Sequence, residues 1–382
     1  MRRLKCYTLG LNKPILAKVT HNTQKRKLRS DYVLLAKEKR LGNCKGYQAV
    51  IVEEARAEIY GEKLKNLPLI VVSDGLDELN EHDVVQIITN ANELLIPYEC
   101  QSPHNGLFLT SSCNSRCVMC PQKPKPDSED RVRFNKRLIE LIAPGPEYLT
   151  LSGGEPTLLG EQLIYLIEAC RNKLPQTKLM LLTNGRKLKE ISFVNKLARA
   201  SQGYLAVAVA LYADTDLEHD KIVGASGAFE EALKGCNNLA LYGFQIEIRI
   251  VIMELNYMRL PQLADFIYRN LTYVSHIALM GLELQELAKE NLEKIWIDPY
   301  QYQSQLLEAC HLLLRRGFRV SIYNHQLCTI PQQLWPLSRK SISTWKNIYL
   351  PICEKCQEKP NCGGFFTSAL TRHSEHILPI NI

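Results

Sequence analysis

Residues 107–122 read LFLTSSCNSRCVMCPQ. The apolar run Leu107–Thr110 reads as a strand, and Cys113, Cys117 and Cys120 follow it at once in the spacing C-x3-C-x2-C. Parallel α/β sheets present their ligand sites at the carboxyl ends of strands, so the loop sits where such a fold does chemistry. Three thiolates from one loop can hold three irons of a cubane cluster, whereas a simple electron carrier supplies four cysteines. The missing ligand leaves one iron open to bind and activate a small molecule, as an open position does in catalytic metal sites. Zinc is the alternative. Zinc knuckles, however, use paired C-x2-C units with a fourth ligand, and no His lies in this loop.

Outward from the loop, short apolar runs alternate with amphipathic stretches. Strands are expected at Leu107–Thr110, Glu147–Leu151, Lys178–Thr183, Leu205–Tyr212, Gln245–Ile252 and His276–Met280. Helices are expected between them at Phe134–Ile142, Glu161–Arg171, Lys187–Arg199, Ala228–Leu241 and Leu260–Asn270. This alternation predicts an α/β fold with a parallel sheet and right-handed crossovers. Six units fall short of the eight that close a full barrel, so a partial (β/α)6 barrel is expected over 105–300. Before it, YQAVIVEEA (47–55), LPLIVVSDG (67–75) and DVVQIITNANELLIPY (83–98) are Val/Ile-rich runs bounded by turn residues, which predicts a β-rich accessory domain over 1–104. After it, 301–382 reads as a separate C-terminal region: a helix at Tyr302–Arg316, a strand at Phe318–Tyr323 and a tail dense in Cys, Pro and Gly.

The bulk numbers fit a globular protein. A chain of 382 residues suits two or three domains, and 46% apolar with 23% charged residues is enough to fill sizeable cores. The formal charge is +7, with basic clusters at Lys25, Arg26, Lys27 and Arg29 and at Lys37, Lys39 and Arg40. Nucleic acid is the partner such clusters raise. No aromatic residues interleave with the first cluster as single-strand platforms require, so a solvated surface is the preferred reading and nucleic acid is not an expected partner. No signal-peptide pattern and no run of about 18 apolar residues is present, so no membrane association and a cytoplasmic location are expected. In that compartment thirteen cysteines point to metal or redox chemistry rather than disulfides. Six of them (Cys6, Cys44, Cys100, Cys170, Cys236 and Cys310) stand alone and read as small buried hydrophobes.

The cysteine loop resembles that of the radical S-adenosylmethionine (radical SAM) superfamily, and three further segments match. SGGEP at 152–156 resembles the motif after the second strand that binds the methionine amino group. Gly153 and Gly154 permit close backbone approach, and the Glu155 carboxylate suits an ammonium group. In LLTNGR (181–186), Asn184 stands where the family makes polar contacts to the nucleoside, although Asn-Gly is also a plain turn signal. In IEIRIVI (246–252), Arg249 lies in an apolar strand, where it needs a partner. The resemblance implies a contact to the cofactor carboxylate, and a structural ion pair is the alternative. The residue before the third cysteine is usually aromatic and covers the adenine; here it is Met119, whose polarizable thioether can also cover an aromatic face. The resemblance implies a [4Fe-4S] cluster with an open iron, S-adenosylmethionine as cofactor and an external electron donor.

A second cysteine group closes the chain. CEKCQEKPNCGG (353–364) supplies Cys353, Cys356 and Cys362, and YNHQLC (323–328) supplies Cys328. Four thiolates would close a second [4Fe-4S] cluster. A structural zinc ribbon is the rival, and His325 is a substitute for Cys328 as fourth ligand. The group resembles part of the auxiliary-cluster domains of peptide-modifying radical enzymes. Joining two side chains removes two hydrogens; one leaves as an atom, and the remaining radical must lose an electron and a proton, so a nearby closed cluster suits oxidative cross-linking.

LFLTSSCNSRCVMCPQKPK, HIALMGLE, LAKENLEKIWIDPYQY, VSIYNHQLC and YLPICEKCQEKPNCGGFF together resemble the His-Xaa-Ser system radical SAM maturases, the HxsC family. That resemblance implies modification of a peptide or small protein bearing His-Xaa-Ser repeats, and a paired second radical SAM enzyme. In MGLELQELAKEN, Glu283 and Glu286 read either as substrate-facing groups or as helix-start carboxylates. An RNA-modifying radical SAM enzyme and a non-catalytic zinc-stabilised binding protein are the alternative functions. The β-rich segment suggests capture of a leader peptide as an added strand.

Overall fold

A computed structural model describes residues 2–22, 24–36, 43–64, 67–88, 92–127, 130–142, 145–341, 347–370 and 372–381. The chain divides into two compact units, one of Met1–Leu107, Asp130–Leu149 and Glu168–Thr177, the other of Phe108–Glu129, Thr150–Ile167 and Lys178–Ile382.

The first unit contains seven strands: β1 (Arg2–Leu9), β2 (Ile15–Thr20), β3 (Tyr32–Leu35), β4 (Val50–Glu53), β5 (Leu69–Val72), β6 (Val84–Ile87) and β7 (Glu93–Tyr98). They form a closed barrel in the order β1-β5-β4-β3-β2-β6-β7, with β7 pairing back onto β1. Alternate residues point inward: Leu4 and Cys6, Ala17 and Val19, Val33 and Leu35, Leu94 and Ile96 share one buried core. A helix, α1 (Ala57–Lys63), adds Tyr60 to a second apolar cluster with Tyr32, Leu34, Val50 and Val52. The expected β-rich segment thus includes three strands with no separate sequence signal, β1 to β3. In RRLKCYTL only Leu4 and Cys6 are buried, and the charges between them hide the period-two pattern. Closure leaves no free strand edge, so a leader peptide captured as an added strand has no place on this barrel.

The basic cluster of this unit is partly structural. Arg29 is buried, donates from Nε to Gln24 O at 3.0 Å and from Nη1 to Asn43 O at 2.8 Å and Lys45 O at 2.9 Å, and stacks on Tyr47. Lys37, Lys39 and Arg40 lie outside the described residues.

The remaining strands are β8 (His104–Phe108), β9 (Tyr148–Ser152), β10 (Lys178–Thr183), β11 (Leu205–Ala210), β12 (Gln245–Val251), β13 (His276–Met280), β14 (Arg319–Tyr323) and β15 (Ser338–Arg339). They form one eight-stranded sheet ordered by sequence from β8 to β15, and every pairing from β10 to β15 is parallel. Intervening helices are α2 (Arg131–Leu141), α3 (Glu161–Lys173), α4 (Ile191–Ser201), α5 (Asp216–Val223), α6 (Ala228–Leu241), α7 (Leu260–Asn270), the short α8 (Glu286–Glu290) and α9 (Leu292–Ile295), and α10 (Gln303–Arg315). The α/β class and the sheet that stops short of closure agree with expectation. The strand count does not. The strand expected within a separate tail is β14, which pairs with β13 in register Ile277↔Val320. A strand of apolar residues buried on both faces completes a parallel sheet wherever a helix returns it, and α10 returns this one.

The helices bury one face each. In α4, Phe193, Val194, Leu197, Ala200 and Ser201 are buried, the i, i+1, i+4, i+7, i+8 stripe of an amphipathic helix. Among the lone cysteines, Cys6, Cys44, Cys170, Cys236 and Cys310 are buried. Cys100 is half-buried and donates from Sγ to Glu81 O at 2.8 Å.

Candidate functional site

Backbone hydrogen bonds hold the three-cysteine loop from several sides. At its start Leu109 N donates to Ser152 O at 2.7 Å, Gly154 N to Thr110 O at 2.7 Å and Glu155 N to Ser112 O at 2.8 Å. In its middle Arg116 N donates to Val223 O and Val118 N to Ile222 O, so the end of α5 supports the turn between Cys113 and Cys120. At its end Leu287 N donates to Cys120 O, and Asn291 Nδ2 donates to Val118 O at 3.0 Å. These bonds anchor the loop backbone at its start, middle and end and so restrict where the thiols point.

The two glycines of SGGEP serve this packing. A Cβ on Gly153 would lie within contact of Thr110 O, and one on Gly154 within contact of Ser112 O. Only a chain without Cβ lets the end of β9 run this close to the cysteine loop.

Cys113, Cys117 and Cys120 line a cavity of about 320 Å³ at the carboxyl ends of the strands, with Met119, Gly153, Gly154, Asn184 and Arg249 in its wall. Eight of the sequence-expected site residues thus surround one space. Burial pushes the Cys117 thiol up to about 12, and the charges of Cys120 and Cys113 push the same way. Cys113 and Cys120 are also raised by burial, while the Ser115 backbone N–H opposes the shift at Cys113. Three thiols that feel one another in a buried site become thiolates only with a compensating positive centre, which is the demand a metal cluster meets. Among the described residues no three His, Cys, Asp or Glu groups stand at the spacing for one metal ion. A mononuclear zinc site sets its sulfurs about 3.8 Å apart.

Glu155 has a different setting from the other expected residues. It is fully buried, and its carboxylate accepts from Thr157 N (3.0 Å), Thr157 Oγ1 (2.6 Å), Thr183 Oγ1 (2.7 Å) and Asn184 N (2.6 Å). Burial raises its pKa while these donors lower it, and the net direction is up. Its oxygens face protein donors and fasten the turn after β9 to the end of β10; they do not face the cavity. Asn184 is held in turn, donating from Nδ2 to Asn114 Oδ1 at 2.7 Å. Arg249 lines the cavity and also makes the ion pair foreseen as its alternative, from Nε to Glu247 Oε1 at 2.6 Å.

The cavity wall also holds residues with no motif of their own, among them Ser115, Arg186, Tyr212, His219 and Asn324. Tyr212 stacks on His219 with ring centroids 5.8 Å apart, and both are buried deeply enough that the phenol rises well above its usual range and the imidazole falls to about 4. Tyr212 lies just beyond the end of β11, and His219 reaches it from α5. Glu283 lines the cavity. Glu286 opens α8 with φ of 45°, in reach of Cys120, whose thiol its charge raises.

The tail cysteines also converge. Burial lifts Cys328 to about 11, with Cys362 and Cys353 pushing the same way, and Cys353 feels Cys362 and Cys356. Backbone donors aim at these sulfurs: Ile380 N at Cys356 Sγ (3.3 Å) and Gly364 N at Cys362 Sγ (3.5 Å). His325 is no substitute ligand. Its ring is fully buried, with Nε2 on Tyr302 Oη at 2.8 Å and Nδ1 on Tyr323 O at 2.8 Å, and its pKa falls to about 4 because burial disfavours the cation.

Residues 107–267 match the family model described as the radical SAM superfamily. That stretch is similar to the radical SAM superfamily. The likeness implies a [4Fe-4S] cluster and S-adenosylmethionine, and the donor set fits both: three thiols lining one cavity, and beside them glycine backbone, a neutral amide and a guanidinium. A curated relative, the Fe-coproporphyrin III synthase of Methanosarcina barkeri (strain Fusaro / DSM 804), is 29% identical over 163 residues, 42% of this chain and 39% of that protein. The AdoMet-dependent heme synthase of the same organism is 27% identical over 211 residues, 52% of this chain and 58% of that protein. The chain therefore spans between about two fifths and three fifths of these relatives' lengths. The crystal structure of Streptococcus suis SuiB aligns with a TM-score of 0.49 at 16% identity, over 73% of this chain and 63% of that one. Among the described residues no helix is long and apolar enough to cross a membrane.

Proposed function

We propose that this protein is a radical SAM enzyme that modifies a peptide or small protein of the His-Xaa-Ser repeat type by oxidative cross-linking. The observation that carries the radical chemistry is the single cavity shared by Cys113, Cys117, Cys120, the Gly153-Gly154 backbone, Asn184 and Arg249. Cys113, Cys117 and Cys120 would hold the cluster, which would supply the electron for reductive cleavage of S-adenosylmethionine and so radical hydrogen abstraction from the substrate. The chain's own groups orient the cofactor. Arg249 suits its carboxylate, Asn184 its nucleoside, and Met119 one face of its adenine. The loop backbone, anchored at its start, middle and end, holds the three thiols in place.

The peptide substrate and the cross-link rest on the second cysteine group and on the family resemblance. Cys328, Cys353, Cys356 and Cys362 sit in each other's electrostatic field with N–H donors on two of their sulfurs, a setting that suits a closed second [4Fe-4S] cluster able to take the electron a cross-link must lose. A paired second radical SAM enzyme, an external electron donor and a cytoplasmic location belong to the same reading. The test is anaerobic reconstitution with excess S-adenosylmethionine and strong reductant, following 5′-deoxyadenosine by chromatography and a co-expressed repeat peptide by mass spectrometry. The parent protein should form 5′-deoxyadenosine and lower the peptide mass by two hydrogens per event. Cleavage that survives in the Cys113→Ala, Cys117→Ala, Cys120→Ala triple variant would sink the radical SAM reading; an unaltered peptide would sink the cross-linking one.

A further inference from the structure

The interior of the open sheet carries a line of polar side chains where an apolar layer would be the default. Arg249 donates from Nε to Glu247 Oε1 at 2.6 Å; Glu247 Oε2 meets His276 Nδ1 at 2.6 Å; His276 Nε2 meets Ser321 Oγ at 2.9 Å. The residues come from three adjacent parallel strands, β12, β13 and β14, in registers that place Glu247 beside His276. Glu247 is buried, and despite that burial its carboxyl is held below its ordinary range by His276 and Arg249. Beside it, β11 contributes only Ala206, Ala208 and Ala210 to the interior. The network thus lies between the cofactor cavity, which Arg249 lines, and a second cavity of about 500 Å³ lined by Glu247, His276 and Ser321.

An unpaired arginine at the floor of a cavity would swing among rotamers and suffer desolvation. Binding its Nε to a carboxylate fixes the guanidinium plane and leaves the Nη edge towards the cavity, the edge that takes a carboxylate by two parallel hydrogen bonds. A carboxylate with both oxygens engaged is in turn held still. We propose that Glu247 and His276 are positioning residues that aim Arg249 at the carboxylate of S-adenosylmethionine; this rests on the cofactor reading above. Ser321 fixes the imidazole and is itself hydrogen-bonded to the Tyr323 side chain.

The experiment is equilibrium dialysis of reconstituted holoprotein against S-adenosylmethionine and against its decarboxylated analogue, which lacks only the carboxylate. Arg249→Ala and Glu247→Ala should each weaken binding of S-adenosylmethionine about tenfold, the size of a charge-assisted hydrogen bond, and change the analogue by less than about twofold. His276→Ala should show the same selective loss, and Glu247→Gln, which keeps an oxygen for Arg249 Nε, should recover most of it. Equal weakening of both ligands in Glu247→Ala would mean a merely structural role and overturn the inference. Selective loss in Arg249→Ala without it in Glu247→Ala would also overturn it while leaving the cofactor reading intact. Failure of the parent protein to bind S-adenosylmethionine would overturn the cofactor reading instead.

Discussion

Glu155 offers the sharpest test of the site's construction. Its carboxylate accepts four hydrogen bonds, two from backbone N–H groups and two from hydroxyls, with no exposure to water. In Glu155→Ala the hydroxyls of Thr157 and Thr183 can rotate to other acceptors, but Thr157 N and Asn184 N are held by the backbone and stay orphaned. At about 1–3 kcal/mol per buried unsatisfied donor, the loss is about 2–6 kcal/mol. Glu155→Gln keeps one carbonyl oxygen for the three donors on Oε1 and turns its amide towards Asn184 N, so one contact fails and about 1–3 kcal/mol is lost. For a unit of this size each kcal/mol lowers Tm by about 2–4 °C. Urea denaturation of the reconstituted full chain, read as a shift in midpoint at constant slope, measures both. A loss below about 1 kcal/mol in the alanine variant would refute the reasoning, as would an ordering in which glutamine is worse than alanine. A variant with parent-like stability but lost S-adenosylmethionine binding would restore the direct contact to the methionine ammonium.

Gly154→Ala pushes a methyl against Ser112 O, and the two backbones must part; about 1–3 kcal/mol of stability and much of the iron incorporation should be lost, checked by urea midpoint and iron content. His219 and His325, both at about 4 against an ordinary 6.5, stay neutral in the fold. The unfolded chain takes up their protons below about pH 6.5, so stability is whole above that pH and falls by about 3 kcal/mol per histidine as pH drops towards 4. Urea midpoints across that window should show the slope, and His325→Gln should remove about half of it; an unchanged slope would refute the assignment to His325. Arg29→Ala removes three part-buried hydrogen bonds to carbonyls and should destabilise the N-terminal barrel by about 2 kcal/mol, read by hydrogen exchange in its strands, with no effect on nucleic-acid retention.

The chemistry of the site was written locally. C-x3-C-x2-C, SGGEP and the strand-helix alternation are short-range patterns, because thiol spacing, glycine pairs and hydrophobic period each act over a few residues, and α6 and α7 fall where the apolar period puts them. What depends on pairing across the chain was not legible. The charges of Arg2–Leu9 conceal a strand whose partners, β5 and β7, lie some sixty to ninety residues away. β14 reads as part of a tail until β13 receives it. Glu155 reads as a group for a ligand until Thr183 and Asn184 arrive from β10 to occupy it. Glu247, His276 and Ser321 carry no motif, and only the parallel register of three strands makes them neighbours. A sequence specifies which residues can bond; hydrogen-bond partners distant in the chain are chosen by the sheet that brings them together, and in this protein that choice separates the residues that face the cofactor cavity from those that hold its walls in place.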